Sequence, residues 1–254
     1  MQFGVVSDVH LGYGDDETVL SELERVADRL VDDGAERLFV LGDLILEAST
    51  ADRDAERIER LRASLEGRGA PVTYLRGNHD VANLSNGDLT ALLEEPAYGV
   101  ERVGDGRVVY LDSAAPRLGG SRGEVGRDGR DFLRRTLLDE PADVLLVHHP
   151  ICHLDLEGNP WFADEPERAV CGDKREVNAV LSETEGVDLV LSAHVHEPAH
   201  VRYDGTDNVI VSAFNRARPG AGLSGAYATV EFGEAIEITE RADGAVRRRL
   251  TTPR

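Results

Sequence analysis

The stretch Leu38-Phe39-Val40-Leu41-Gly42-Asp43 places four apolar side chains in a row, then a glycine, then a carboxylate. A short apolar run bounded by a turn former reads as a buried strand. Phe3 to Ser7 has the same form and runs into Asp8. Between the two, Val19, Leu20, Leu23, Val26, Ala27, Leu30 and Val31 fall on one helical stripe, which Gly34 terminates. Downstream, Ile58, Leu61 and Leu65 mark a second helix stopped by Gly67, and Val72 to Leu75 forms a third strand. Strands alternating with helices predict a sheet with parallel members and right-handed crossovers.

The second half reads differently. Val108 to Leu111 and Val144 to Val147 are strands, with a helix between them near Phe132 to Leu138. A polar loop from Ile151 to about Gly172 follows, then a helix through Val177, Val180 and Leu181, then a strand at Leu189 to Leu191. From Ala199 onward the pattern has period 2 and reads as antiparallel: His200 to Tyr203, Val209 to Val211, Tyr227 to Phe232 and Ile236 to Ile238. Asp204-Gly205 and Asp243-Gly244 sit where hairpins need turns. No linker-like break or internal repeat interrupts the chain. Residues 1–254 therefore read as a single α/β domain, two mixed sheets packed face to face with helices outside.

Composition narrows the function classes. The 254 residues are 41% hydrophobic, with no run near the roughly 20 apolar residues of a membrane span. Met1 leads directly into Phe3-Gly4-Val5-Val6, without the basic region of a secretory signal, and Cys152 and Cys171 are too few for a disulfide framework. A cytoplasmic protein is the expectation. Forty-eight Asp and Glu oppose 28 Lys and Arg, a net charge of -20, and Lys174 is the sole lysine. That charge disfavours nucleic acid and anionic membranes as partners. Lysine depletion with acid excess points to a halophilic surface, working in molar salt that screens its repulsion.

The chemistry sits at the strand ends. Five apolar strands each run into metal-ligand residue types: Asp8-Val9-His10, Asp43, Asn78-His79-Asp80, His148-His149 and His194-Val195-His196. Taken singly, each is better read as a turn, a cap or a polar strand terminus. Together, each at a strand end, they favour a site beyond the carboxyl ends of the strands. Oxygen and imidazole donors without cysteine suit Mn, Fe, Zn or Co, and paired cations can grip a phosphoryl group.

The ordered pattern D-x-H, G-D, G-N-H-D, H, then H-x-H over residues 8–196 resembles the calcineurin-like metallophosphoesterase family. The resemblance implies a four-layer α/β/β/α sandwich and two divalent metal ions, manganese foremost. One metal would be held by Asp8, His10 and His196 and the other by Asn78, His148 and His194, with Asp43 bridging. His79 would be the catalytic imidazole that protonates the leaving oxygen, oriented by Asp80. The implied reaction is hydrolysis of a small phosphoester, diester or monoester, by a metal-bridging hydroxide. Asp112-Ser113, Pro116, Gly123-Glu124-Val125 and Phe132-Leu133 resemble the branch with cyclic-nucleotide and glycerophosphodiester phosphodiesterases.

Departures from the pattern bear on rivals. Ala193 stands where the family usually has glycine, so a methyl is expected to crowd the backbone slightly. Ser7-Asp8-Val9-His10-Leu11-Gly12-Tyr13 resembles the opening motif of DNA-repair metallonucleases. Those carry a histidine three positions after the bridging Asp, where this chain has Leu46. A lipid-A-precursor hydrolase would have Arg in place of His79. A catalytically silent scaffold is the rival from another class, and the intact ligand set weighs against it. His149 is expected to pack behind the site, His153 to be solvated, His200 to be structural, and Arg76 to pair with a carboxylate.

Overall fold

β1 (Gln2–Val6), β2 (Ala35–Leu41) and β3 (Val72–Leu75) lie side by side and parallel in the computed structural model, which describes residues 1–115, 117–216, 220 and 222–254. α1 (Asp16–Asp32) joins β1 to β2, and α2 (Ala51–Leu65) joins β2 to β3. Asp15 caps α1 by accepting from the Thr18 amide at 3.0 Å, and Asp16 and Glu17 add negative charge at the positive end of the helix dipole. At the other end the Gly34 amide bonds the Val31 carbonyl with φ +97°, a conformation that favours glycine. The remaining α-helices and β-strands are α3 (Asn86–Leu93), β4 (Tyr98–Val103), β5 (Gly106–Leu111), α4 (Gly126–Asp139), β6 (Ala142–Val147), α5 (Lys174–Glu183), β7 (Val187–Ser192), β8 (Ala199–Tyr203), β9 (Thr206–Ile210), β10 (Tyr227–Phe232), β11 (Ala235–Ala242) and β12 (Ala245–Pro253).

They build two mixed six-stranded sheets, ordered β12-β11-β10-β1-β2-β3 and β4-β5-β6-β7-β9-β8. Phe3, Val5, Phe39 and Leu41 of the first sheet meet Val108, Val144, Leu146, Leu189 and Leu191 of the second in one buried cluster. Phe3 packs edge-on against Phe39 with ring centroids 5.1 Å apart. Each fully buried side chain of this size contributes about 1.5–3 kcal/mol. α1, α2 and α3 cover the outer face of the first sheet, and α4 and α5 that of the second. The architecture is thus the expected α/β/β/α sandwich.

Several elements differ from the expectation. α3, β4 and β12 have no counterpart in the sequence reading. α3 has only eight residues and begins at a capping box between Ser85 and Asp88, rather than being marked by a strong apolar stripe. β12 carries Arg247, Arg248 and Arg249 on a sheet edge, where exposure removes the hydrophobic alternation. β9, read as antiparallel, pairs parallel with β7 and antiparallel only with β8. Pro116 lies outside the described residues.

The consequence for function is directional. β1, β2 and β3 in one sheet and β6 and β7 in the other deliver their carboxyl ends to a common rim. His148, just past β6, reaches across the sheets to the Leu41 carbonyl at the end of β2, 2.7 Å away.

Candidate metal centre

The loops after β1 and β2 are stitched together by backbone hydrogen bonds: Asp8 N to Gly42 O at 3.1 Å, His10 N to Asp43 O at 3.0 Å and Leu11 N to Leu44 O at 3.0 Å. This pairing holds Asp8, His10 and Asp43 at φ of 52°, 45° and 48°, and His194 and His196 sit at 71° and 63°. Only eight described non-glycine residues have positive φ, and five belong to this one site. Left-handed backbone costs such residues about 1–2 kcal/mol each, and strain of this kind concentrates at functional sites. Gly77 explains the closeness of the next loop. A Cβ there would stand 2.2 Å from the Asp43 amide nitrogen, so only glycine lets β3 approach β2 this far.

All eight predicted site residues come together. Asp8, His10, Asp43 and His196 offer ligand atoms within 4.8 Å of one another, as do His148, His149 and His194. Asp43 Oδ2 lies between the groups, 3.9 Å from His10 Nε2 and 3.4 Å from His148 Nε2. Asp8 Oδ1 is 3.6 Å from His196 Nε2. Asn78 and His79 line the same cavity of about 150 Å³ with Asp43, His194 and His196. His149 is adjacent, but its Nδ1 is bonded to Ser113 Oγ at 2.8 Å and its Nε2 to Ser121 O at 3.2 Å. With both nitrogens engaged it supports the site from behind, its ring tilted against that of His194 with centroids 4.3 Å apart.

The donor atoms suit a cation. Asp8 Oδ1, Asn78 Oδ1, His148 Nε2 and His194 Nδ1 are buried without a hydrogen-bond partner among the described residues. An unsatisfied buried polar atom costs about 1–3 kcal/mol, and four in one place call for a ligand. The opposite edges of the rings are held, His148 by Leu41 O and His194 Nε2 by Arg168 O at 2.9 Å, which orients the remaining nitrogen inward.

The field is uneven. Burial works against protonating His148, yet Asp43 and Asp8 outweigh it and push the ring up to about 9. His194, equally buried but beside His148 rather than a carboxylate, falls to about 3. Burial raises Asp8, with His196 opposing. Asp43 is held well below the usual carboxylate range: burial opposes this, but His148, His79 and His10 together prevail.

Four side chains to which the sequence assigns no site role complete the site. Glu47 pairs with His79 Nδ1. Asp80, expected to orient that ring, instead accepts from Gly77 N at 2.8 Å and Ile45 N at 3.2 Å. Asn159 Nδ2 donates to Val195 O at 3.1 Å while its Oδ1 accepts from the Trp161 and Phe162 amides at 3.0 Å. That staple lays Trp161 against His196 and Phe162 against His194, with ring centroids 4.5 and 4.8 Å apart. Gly158-Asn159-Pro160 was the available signal, but a turn signal does not say what the turn touches.

Elsewhere, Arg76 is buried on Asp112 at 3.3 Å and Thr90 at 2.7 Å. His200 bonds Asp207 at 2.8 Å, and His153 lies beside Tyr203 outside the site. Ala193 does not adopt left-handed φ, and its methyl joins the core between the sheets instead of crowding the backbone. No described helix is long and apolar enough to cross a membrane.

Known proteins resemble this chain in sequence or in fold. A probable cyclic nucleotide phosphodiesterase of Synechococcus is 29% identical over 165 residues, 63% of this chain and 57% of that protein, so the matched region spans little more than half of the relative's length. A dimetal phosphatase from Danio rerio superposes over 100% of this chain and 98% of its own, with TM-score 0.75 and 16% identity. A purple acid phosphatase from yellow lupin covers 99% of this chain and 53% of its own, with TM-score 0.69 and 13% identity. These two show likeness of fold. The profile of the calcineurin-like phosphoesterases matches residues 1–198, and the chain belongs to that family.

Proposed function

We propose that residues 1–254 form a single metal-dependent phosphoric ester hydrolase acting on small phosphoesters, with phosphodiesters ahead of monoesters. The observation that carries this reading is the convergence of Asp8, His10, Asp43, Asn78, His148, His194 and His196, six of which have a buried nitrogen or oxygen without a hydrogen-bond partner among the described residues. Family membership supports the reaction class, and the relative named as a probable cyclic nucleotide phosphodiesterase supports the diester.

Asp8, His10 and His196 would hold one divalent cation and Asn78, His148 and His194 the other, with Asp43 shared because a carboxylate has two oxygens to give. Bound there, the pair supplies Lewis-acid charge to the phosphoryl oxygens and lowers the pKa of water. The field of Asp43 and Asp8 that favours a proton on His148 would equally favour a cation. Manganese suits the mixed oxygen and imidazole donors, and iron, zinc and cobalt share that chemistry. His79, on the rim of the cavity, delivers a proton to the departing oxygen.

The test is turnover by metal-loaded protein of a chromogenic aryl phosphodiester beside the matching monoester. Metal-dependent release faster on the diester is the expected result. Hydrolysis of neither, by protein that retains two metals per chain, would sink the reading.

A further inference from the structure

We infer that Trp161 selects phosphodiesters whose non-leaving substituent carries a flat aromatic ring; this rests on the phosphoesterase reading of the site. The described residues lining the cavity divide into two sets. Four proposed ligands and His79 meet the phosphoryl group, and Ser121, Trp161 and Phe162 meet the rest of a substrate. These three come from the loops after β5 and β6. Phe162 is buried and tilted against His194, so it belongs to the floor of the site. Trp161 is only partly buried, and its indole is the largest apolar side chain on that wall.

The position of the indole is built by its own loop. Asn159 Oδ1 accepts from the Trp161 amide, while Asn159 N donates to Leu156 O at 3.0 Å and Asn159 O accepts from Ala163 N at 3.1 Å. Under this turn Cys152, Val170, Val195 and Ile210 form an apolar cluster, and Trp161 packs against it. Ser121 is fixed from behind by His149. Ser121 O can only accept, so the proton of that ring sits on Nε2, which donates at 3.2 Å, and Ser113 Oγ donates to Nδ1 at 2.8 Å. Both loops are therefore held before a substrate arrives, which lowers the ordering cost of binding.

Ring contacts give the wall a direction. They run from His79 to His10 with centroids 5.0 Å apart, from His10 to His196 at 4.9 Å, and from His196 to Trp161 at 4.5 Å. A phosphoryl group in the cavity with its leaving oxygen toward His79 thus turns its other substituent toward Trp161. Aromatic rings favour offset or edge-on contact with one another, which a saturated ring of the same size cannot supply. An aryl ester carries such a ring next to the phosphate, and a nucleotide carries one a sugar away.

Two measurements test this on the full-length protein. Three diesters share 4-nitrophenol as leaving group and differ in the other substituent: phenyl, cyclohexyl or thymidine 5′. With the metal-loaded protein, kcat/KM should be roughly tenfold higher for an aromatic ester than for the cyclohexyl ester. The faster of the two aromatic esters identifies how far the ring stands from the phosphate. Trp161→Leu should bring the ratio near one, and Trp161→Phe should keep most of it. Each protein is its own reference, so a general loss of rate or of metal does not move the ratio. Equal kcat/KM for all three esters, or a preference that survives Trp161→Leu, would overturn the assignment. The second measurement needs no turnover. Trp161 is the sole tryptophan, so the intrinsic emission of the protein reports on this ring alone. In zinc-loaded protein, phenylphosphonate or thymidine 5′-monophosphate should change that emission more than the ring-free counterparts, cyclohexylphosphonate and deoxyribose 5-phosphate. A response alike within both pairs would overturn the assignment. Absence of all turnover in the unsubstituted protein would count against the phosphoesterase reading, while the emission would still decide the role of Trp161.

Discussion

The two halves of the site are held in different ways. Asp8, His10 and Asp43 stand on short loops that hydrogen-bond each other through the backbone, directly beyond two adjacent parallel strands. His148 and His194 are steered from outside, by carbonyls of Leu41 and Arg168, and the His194-Val195-His196 turn is stapled by Asn159. The first half carries both aspartates; the second has only amide and imidazole donors. One half is a property of the sheet, and the other depends on a loop that lies on top of it. Damage to the loop should therefore weaken the second half more than the first.

The largest expected effect breaks both halves at once. Asp43→Ala removes the one carboxylate within 4 Å of both His10 and His148, so metal content should fall from two ions per chain to near none. Elemental analysis decides this, and two retained ions would end the bridging assignment. Next in size, His79→Ala should leave both metals in place and lower turnover by roughly 10²–10⁴. Its deficit should shrink with good leaving groups; an equal deficit across leaving groups would assign His79 to phosphate binding.

Asn159→Ala sharpens the contrast between the halves. It strips acceptors from the Trp161 and Phe162 amides and a donor from Val195 O. The cost should be about 1–3 kcal/mol of stability, read as a lower denaturant midpoint. Metal titration should show weakening at both positions, because the turn supplies His196 to one and His194 to the other, with the larger loss, about tenfold, at the position of Asn78, His148 and His194. Equal weakening of both would mean the halves are not independent. The smallest and most diffuse effect concerns salt. A chain of net charge -20 repels itself across roughly 10–30 Å in dilute buffer. The thermal midpoint of metal-saturated protein should rise with added KCl, through screening first and strengthened apolar burial at molar salt. A flat or falling midpoint would remove the case for a salt-adapted surface.

Much of this was legible in one dimension because it is local. A buried parallel strand must be apolar along its length, and whatever follows it lands at the rim, so Leu38 to Leu41 announces both a strand and the place of Asp43. The glycines at 42 and 77 belong to the same logic, since two strand ends can approach this closely only without a Cβ. α3 and β12 were hidden because one is marked mainly by a capping box and the other by arginines on an edge. The sequence by itself determined which residue types reach the rim, because strand period and helix period depend on neighbours along the chain. Tertiary structure alone decided that Glu47 rather than Asp80 meets His79, that His149 turns both nitrogens away, and that Asn159 lays Trp161 and Phe162 on the histidines. The physical reason is that side-chain direction at a strand end is set by the loop packed against it. That partner comes from 32 residues away for Glu47 and His79, and 36 for Asn159 and Val195, where sequence spacing carries no signal.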